Sequence, residues 1–246
     1  MTMPSLSRLL ATLAFSVCAA GAQAAQTHWY QFNGSLADSQ GGPALVANGG
    51  TLGAGSYAFG ANQGLSLTGA ISSDIYTIDI TFSFADKQGW SKIADFKGLS
   101  TDSGWYRFVS GPASMLEICD CATKVDSTPG AIVADVPVRV TLTRDGGGLL
   151  SQYVNGSLAG TYQDSGAIFT VGQPANVVHF FIDDSVTGQG EAVAGSVSRI
   201  VIFDSALSAT QVATLAPVPE PETWAMFAAG AALLAGMARK RRSRGA

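Results

Sequence analysis

A chain of 246 residues, 13% charged and with 29 glycines, holds one large domain or two small ones and covers its surface mostly with Ser, Thr, Asn, Gln and glycine-rich turns. Its net charge of -4 hides an acidic middle, since eight Lys and Arg face sixteen Asp and Glu between Gln26 and Pro217, a net of -8. An acidic domain gains nothing from counterion release on a phosphate backbone, which excludes nucleic acid as a partner.

The front end sets Arg8 before an apolar run, Leu9 to Ala20, and then Ala22-Gln23-Ala24. The run is shorter than the ~20 residues that span a bilayer. A basic start, an apolar stretch and small residues in that order make 1–24 a signal peptide, cut by signal peptidase after Ala24. One domain follows, 25–216.

Its first predicted strands are Trp29 to Phe32 and Leu65 to Leu67. The clearest is Tyr76 to Phe84, where Tyr76, Ile78, Ile80, Phe82 and Phe84 alternate with Thr77, Asp79, Thr81 and Ser83, so one face is expected buried and the other wet. Ile93 to Phe96 and Trp105 to Val109 come next. Trp90, Trp105 and Tyr106 lie near turns, where rings either stack on sugar faces or fill the core.

In Glu117-Ile118-Cys119-Asp120-Cys121 an extended backbone puts Glu117, Cys119 and Cys121 on one face with Met115. With Cys18 in the signal, these are the two remaining cysteines. They form a local disulfide or stay as two thiols; metal ligation lacks partners, because His28 and His179 are isolated and no second cysteine pair exists.

Val136, Val138, Val140 and Leu142 alternate with Pro137, Arg139, Thr141 and Thr143, a second half-buried strand with Pro137 at its start or on an edge. Leu149 to Val154 and Ser157 to Tyr162 flank Asn155-Gly156, the dipeptide that tolerates the positive φ angles of a type I′ hairpin. Val177 to Ile182 and Val197 to Phe203 are further strands, and His179 reads as a packing residue.

Between them, Asp183, Asp184 and Glu191 gather hard oxygen ligands around a Gly188-Gln189-Gly190 loop, a candidate Ca²⁺ site to which Asp38 or Asp204 could add; the alternative is a solvated acidic turn. Ser208-Ala209-Thr210-Gln211 is a capping-box pattern opening a short helix, Ala209 to Leu215, ended by Pro217 and Pro219. About a dozen strands and one helix require two stacked sheets, an all-β sandwich or barrel.

Trp29-Tyr30-Gln31-Phe32-Asn33-Gly34-Ser35-Leu36-Ala37-Asp38 and Ser198-Arg199-Ile200-Val201-Ile202-Phe203-Asp204-Ser205-Ala206-Leu207-Ser208 resemble the opening and closing strands of a concanavalin A-like, laminin-G-like jelly roll, with Tyr153-Val154-Asn155-Gly156 as its central hairpin. The resemblance implies an antiparallel two-sheet jelly-roll sandwich that binds glycans or proteins, in some members with calcium at the rim.

Val218-Pro219-Glu220-Pro221-Glu222-Thr223-Trp224, an apolar stretch to Ala238 and then Arg239-Lys240-Arg241-Arg242 resemble a PEP-CTERM sorting signal of exopolysaccharide-producing Gram-negative bacteria. That family implies a short transmembrane helix, about 224–238, that holds the chain in the inner membrane until an exosortase cuts near Pro219, Glu220 and Pro221. At 15 residues the segment is short for a permanent anchor across a ~30 Å core. The domain would then reside at the cell surface or in the extracellular matrix.

No G-x-S-x-G, H-E-x-x-H or Walker motif occurs. Glycosidases need paired carboxylates, and the domain has only the glutamates Glu117 and Glu191. The expectation is a non-enzymatic protein that binds polysaccharide or a surface protein. A structural matrix protein without a discrete ligand and a polysaccharide-degrading enzyme are the alternatives.

Overall fold

The computed structural model describes residues 27–120, the backbone of 124–126, and residues 132–171 and 176–215. The predicted signal peptide, Cys121, the predicted sorting motif and the predicted membrane segment lie outside these residues. Among the described residues no helix is long and apolar enough to cross a membrane.

In chain order the elements are β1 His28–Tyr30, β2 Val46–Ala47, β3 Thr51–Leu52, β4 Tyr57–Phe59, β5 Leu65–Thr68, β6 Tyr76–Phe84, β7 Gly89–Asp95, β8 Gly104–Ser110, β9 Ala113–Cys119, β10 Lys124–Asp126, β11 Val138–Arg144, β12 Leu149–Val154, β13 Ser157–Gln163, β14 Val177–Phe180, β15 Gly195–Phe203 and α1 Ala209–Thr214. They form an antiparallel two-sheet sandwich. One sheet runs β13-β12-β11-β6-β15-β4-β3, with β1 also paired to β15, and the other runs β10-β9-β8-β7-β14-β5-β2. The hairpin at Asn155-Gly156 turns with both residues at positive φ, 49° and 86°.

The core lies between the sheets. Ile78, Ile80, Phe82 and Phe84 of β6 with Val138, Val140 and Leu142 of β11 meet Ile93, Trp105, Leu116 and Ile118 of the opposite sheet. Each such side chain contributes about 1.5–3 kcal/mol on burial. Phe181 stacks on Phe59 at 4.5 Å and holds φ at 61°, a left-handed backbone that only firm packing sustains in an aromatic residue.

The expected wet faces of β6 and β11 are in fact covered. Thr77, Asp79, Thr81, Arg139, Thr141 and Thr143 are all buried, because the chain after β15 folds back over the eight-stranded sheet. Thr77 donates to the carbonyl of Ser205 and accepts from the N–H of Leu207. Asp79 accepts from Arg199 at 2.6 Å and from Thr141 at 2.6 Å. Alternation predicted the inward face correctly; the outward one is buried by polar side chains that satisfy each other.

α1 seals this second layer. Ser208 and Gln211 close a capping box at its start, and Leu207, Val212 and Leu215 pack on Tyr153, Val201 and Phe203. Arg139 donates to the carbonyls of Leu215 at 2.5 Å and Val212 at 3.0 Å, closing the other end of the helix.

Gly156 lies directly beneath this contact. A Cβ there would sit 2.7 Å from Nη2 of Arg139 and 3.2 Å from Cα of Ala213, on a backbone at φ 86°. Gly156→Ala is therefore expected to lower stability by about 1–3 kcal/mol, from left-handed strain plus overpacking. Chemical denaturation checks this, and a neutral effect would mean that the hairpin and helix do not press on each other.

Candidate functional site

Alternation along the middle of the seven-stranded sheet turns Trp90 and Lys92 of β7, Tyr106 and Phe108 of β8, and Met115 and Glu117 of β9 away from the core. The register lines them up across the strands in two rows, Trp90, Phe108, Met115 and Lys92, Tyr106, Glu117. In the first row Trp90 is 39% exposed, and its ring lies 4.7 Å from that of Phe108. Phe108 and Met115 are partly exposed. The Trp90 indole N–H donates to Oε1 of the buried Glu117 at 2.9 Å, which fixes the ring plane.

Of the three rings considered for sugar stacking, Trp90 alone offers a face. Trp105 is fully buried and donates its indole N–H to Gln152. Tyr106 is covered by the Lys92 ammonium, 5.1 Å from its ring centroid. Adjacent strand residues point to opposite faces, so Trp105 and Tyr106 cannot share a platform.

In the second row Lys92 is 1% exposed. Its ammonium bonds Asp184 and lies 3.4 Å from Asp183 and 3.6 Å from Asp95. Burial pulls the ammonium down, but the Asp184 bond and the three carboxylates outweigh it and hold Lys92 above the ordinary lysine value. The loop after β14 is thereby pinned to the sheet. Lys87 adds bonds to the carbonyls of Gly190 at 2.6 Å and Ala192 at 2.8 Å, and Asn62 donates to that of Gln189.

These contacts change the candidate calcium set. Asp183 is taken up: Oδ2 accepts from Thr187 and from the N–H of Glu191, and Oδ1 faces Lys92. Asp38 is buried elsewhere against His28 and three backbone N–H groups, and the exposed Asp204 does not join the group. The carboxylates that converge are Asp184, Glu191 and Asp102, with ligand atoms within 4.8 Å of one another. Asp184 also accepts from Lys92 and from the N–H groups of Val186 and Thr187, so Asp102 and Glu191 are the members open to Ca²⁺, and even three oxygens are half or fewer of the six to eight it takes. Burial, then the charges of Asp102 and Asp183, push Glu191 up to about 7.

Asp102, Lys92 and Phe108 were not singled out from the sequence, whereas Met115 was placed on one strand face with Glu117. The i, i+2 spacing of Trp90 with Lys92 and of Tyr106 with Phe108 is the signal that would have found Lys92 and Phe108. Asp102 is joined to Asp184 and Glu191 by folding alone. His179 lies beside the site, partly exposed, with Nδ1 2.8 Å from Oγ of Ser66; burial lowers its pKa against the opposing pull of Asp95. Cys119 ends β9, and the proposed link to Cys121 falls outside the described residues.

The family model of the concanavalin A-like lectin/glucanases superfamily matches residues 59–213, and that of the PEP-CTERM protein-sorting motif matches residues 217–242. No curated protein matches the chain. Among solved structures it is similar to domain 4 of AbnA, a GH43 extracellular arabinanase of Geobacillus stearothermophilus in complex with arabinotriose, at 18% identity and TM-score 0.59, covering 78% of this chain and 98% of that one. It is similar to a Trypanosoma rangeli sialidase at 16% identity and TM-score 0.61, over 77% of this chain and 32% of that one. The ligand binding domain of botulinum neurotoxin serotype D in complex with N-acetylneuraminic acid matches at 12% identity and TM-score 0.55, over 76% of this chain and 49% of that one. The chain thus spans about a third of the sialidase and half of the toxin domain.

The raised Glu191 gives a signed expectation. Between about 4.5 and about 7 the folded state holds a proton that the unfolded state has lost, so stability falls as pH rises through that window. Glu191→Gln is expected to flatten this slope in denaturation curves measured without divalent cations. At pH ~8, millimolar calcium is expected to raise Tm by mass action, and Asp102→Asn with Glu191→Gln to remove the shift. An unchanged Tm in the parent protein would leave the three carboxylates as a solvated acidic cluster.

Proposed function

The chain belongs to the concanavalin A-like lectin/glucanases superfamily and carries a PEP-CTERM sorting motif, and from that premise we infer that it is an exported protein that binds glycan on the outer face of its seven-stranded sheet, without turning it over. The supporting observation is the Trp90, Phe108, Met115 row, an exposed indole backed by a second ring and clamped by a buried carboxylate. Sugar rings stack on such faces through their C–H surfaces, and a ring held in place loses little freedom on binding. Two of the similar structures were solved with arabinotriose and with N-acetylneuraminic acid, which supports a sugar as the ligand class.

The employment of Glu117 supports the reading of binding without hydrolysis. A general acid must present its proton to a leaving group, whereas Glu117 is fully buried and accepts from Trp90. The sorting motif then implies processing by an exosortase and residence at the surface or in the matrix.

The test is binding to exopolysaccharide fragments and a glycan panel. Trp90→Ala is expected to weaken affinity about tenfold or more, the ratio that corresponds to losing ~1.4 kcal/mol of ring contact. Glu117→Gln, which keeps an acceptor for the indole, is expected to retain most of it. Binding untouched by Trp90→Ala would overturn the site. Release of reducing ends that disappears in Glu117→Gln would replace the binding reading with an enzymatic one.

A further inference from the structure

The folded domain and the sorting motif leave almost no chain between them. Leu215 is buried on the eight-stranded sheet with Val212 and Leu207, and its carbonyl and that of Val212 are held by the guanidinium of Arg139, itself 2% exposed. Arg139 is in turn backed by Asp79, 3.8 Å from its Nε. The motif match begins at residue 217. Ala216, Pro217 and Val218 alone separate the docked Leu215 from Pro219, so Pro219 lies no more than about 14 Å from Leu215 even in a fully extended chain.

A protease reads its substrate as an extended segment lying in a cleft. Here that segment starts against a body with a radius of gyration of about 16 Å, the value for roughly 190 residues. The docked helix and the protease cleft compete for the same few residues.

We propose that Arg139 is a positioning residue for processing: by clamping the last turn of α1 it withholds the sorting motif, and cleavage proceeds from the minor state in which that turn has lifted off the sheet. This rests on the reading of 217–242 as an exosortase-processed signal. Undocking α1 hands the protease up to ten further residues, from Ala206 to Leu215, and Arg139 supplies the polar tie that this release must break. The apolar side chains of α1 stay in place until it does.

The test follows conversion of full-length to shortened protein in a host with the matching exosortase, by pulse-chase and intact mass. Arg139→Met keeps an apolar chain of similar reach but removes both bonds to the helix end; processing is expected to speed up by about tenfold or more, tenfold being the ratio for losing just one hydrogen bond to a charged group from the docked state. A ten-residue Gly/Ser insertion between Leu215 and Ala216 restores reach without touching the clamp and is expected to speed processing similarly. Arg139→Met added to the insertion should then give no further gain. Unchanged or slower processing in the insertion variant overturns the proposal, and that variant decides alone if Arg139→Met does not accumulate. Pro219→Ala with Pro221→Ala separates the two readings: if that double variant is processed normally, the sorting-signal reading fails rather than the clamp.

Discussion

The ammonium of Lys92, sunk among the carboxylates of Asp95, Asp183 and Asp184, is the interaction on which the outer face of the seven-stranded sheet depends. A buried charge is tolerated only with partners, and a carboxylate cluster only with a cation. β7 supplies the cation and the loop after β14 supplies two of the anions, so neither segment can sit as it does without the other. Deleting one member of such a group costs ~3–5 kcal/mol, since the remaining charges stay buried without compensation. The same ammonium lies over Tyr106, which fixes the floor beside the Trp90 row and places Asp184 within reach of Asp102 and Glu191.

The two sheets use their outer faces differently. On the eight-stranded sheet, Thr77, Asp79, Thr141 and Arg139 are paired among themselves or to the returning chain, and α1 lies across them. That face is closed by its own C-terminal segment. On the seven-stranded sheet Asp95, Asp183 and Asp184 are drawn onto Lys92, and Trp90, held by Glu117 and Phe108, keeps part of its ring exposed. The exposed Trp90 and the docked Leu215 thus lie on opposite faces of one sandwich.

Much of the fold was legible because its signals are local. Alternation along 76–84 and 136–143, the Asn155-Gly156 turn and the Ser208–Gln211 capping box each act within a few residues, and each is present, the second run from Val138 onward with Val136 exposed ahead of it. The short strands β2, β3 and β4 were not legible; two or three residues carry no period, and their pairing with β5 and β15 is decided by the sheet. Covered outer faces escaped for the same reason, since nothing within β6 announces that Arg139 and Arg199 will neutralise Asp79. At the site, the acidic residues 183, 184 and 191 were visible as a composition but not as a geometry. Lys92 lies about ninety positions from the aspartates it joins, and Asp102 comes from a separate loop, so which carboxylates converge is set by tertiary contacts alone. Trp105 and Tyr106 show the opposite case: strand parity forbids both from facing one way, and that was readable.

The central claim, that the Trp90 row is the ligand face, is tested most directly by the indole N–H resonances of the nitrogen-labelled protein titrated with exopolysaccharide fragments. The account predicts that the Trp90 signal shifts progressively and saturably, while the signals of Trp105, bonded to Gln152 in the core, and of Trp29, packed beside α1 on the far sheet, stay in place. A titration in which Trp29 moves and Trp90 does not would contradict it.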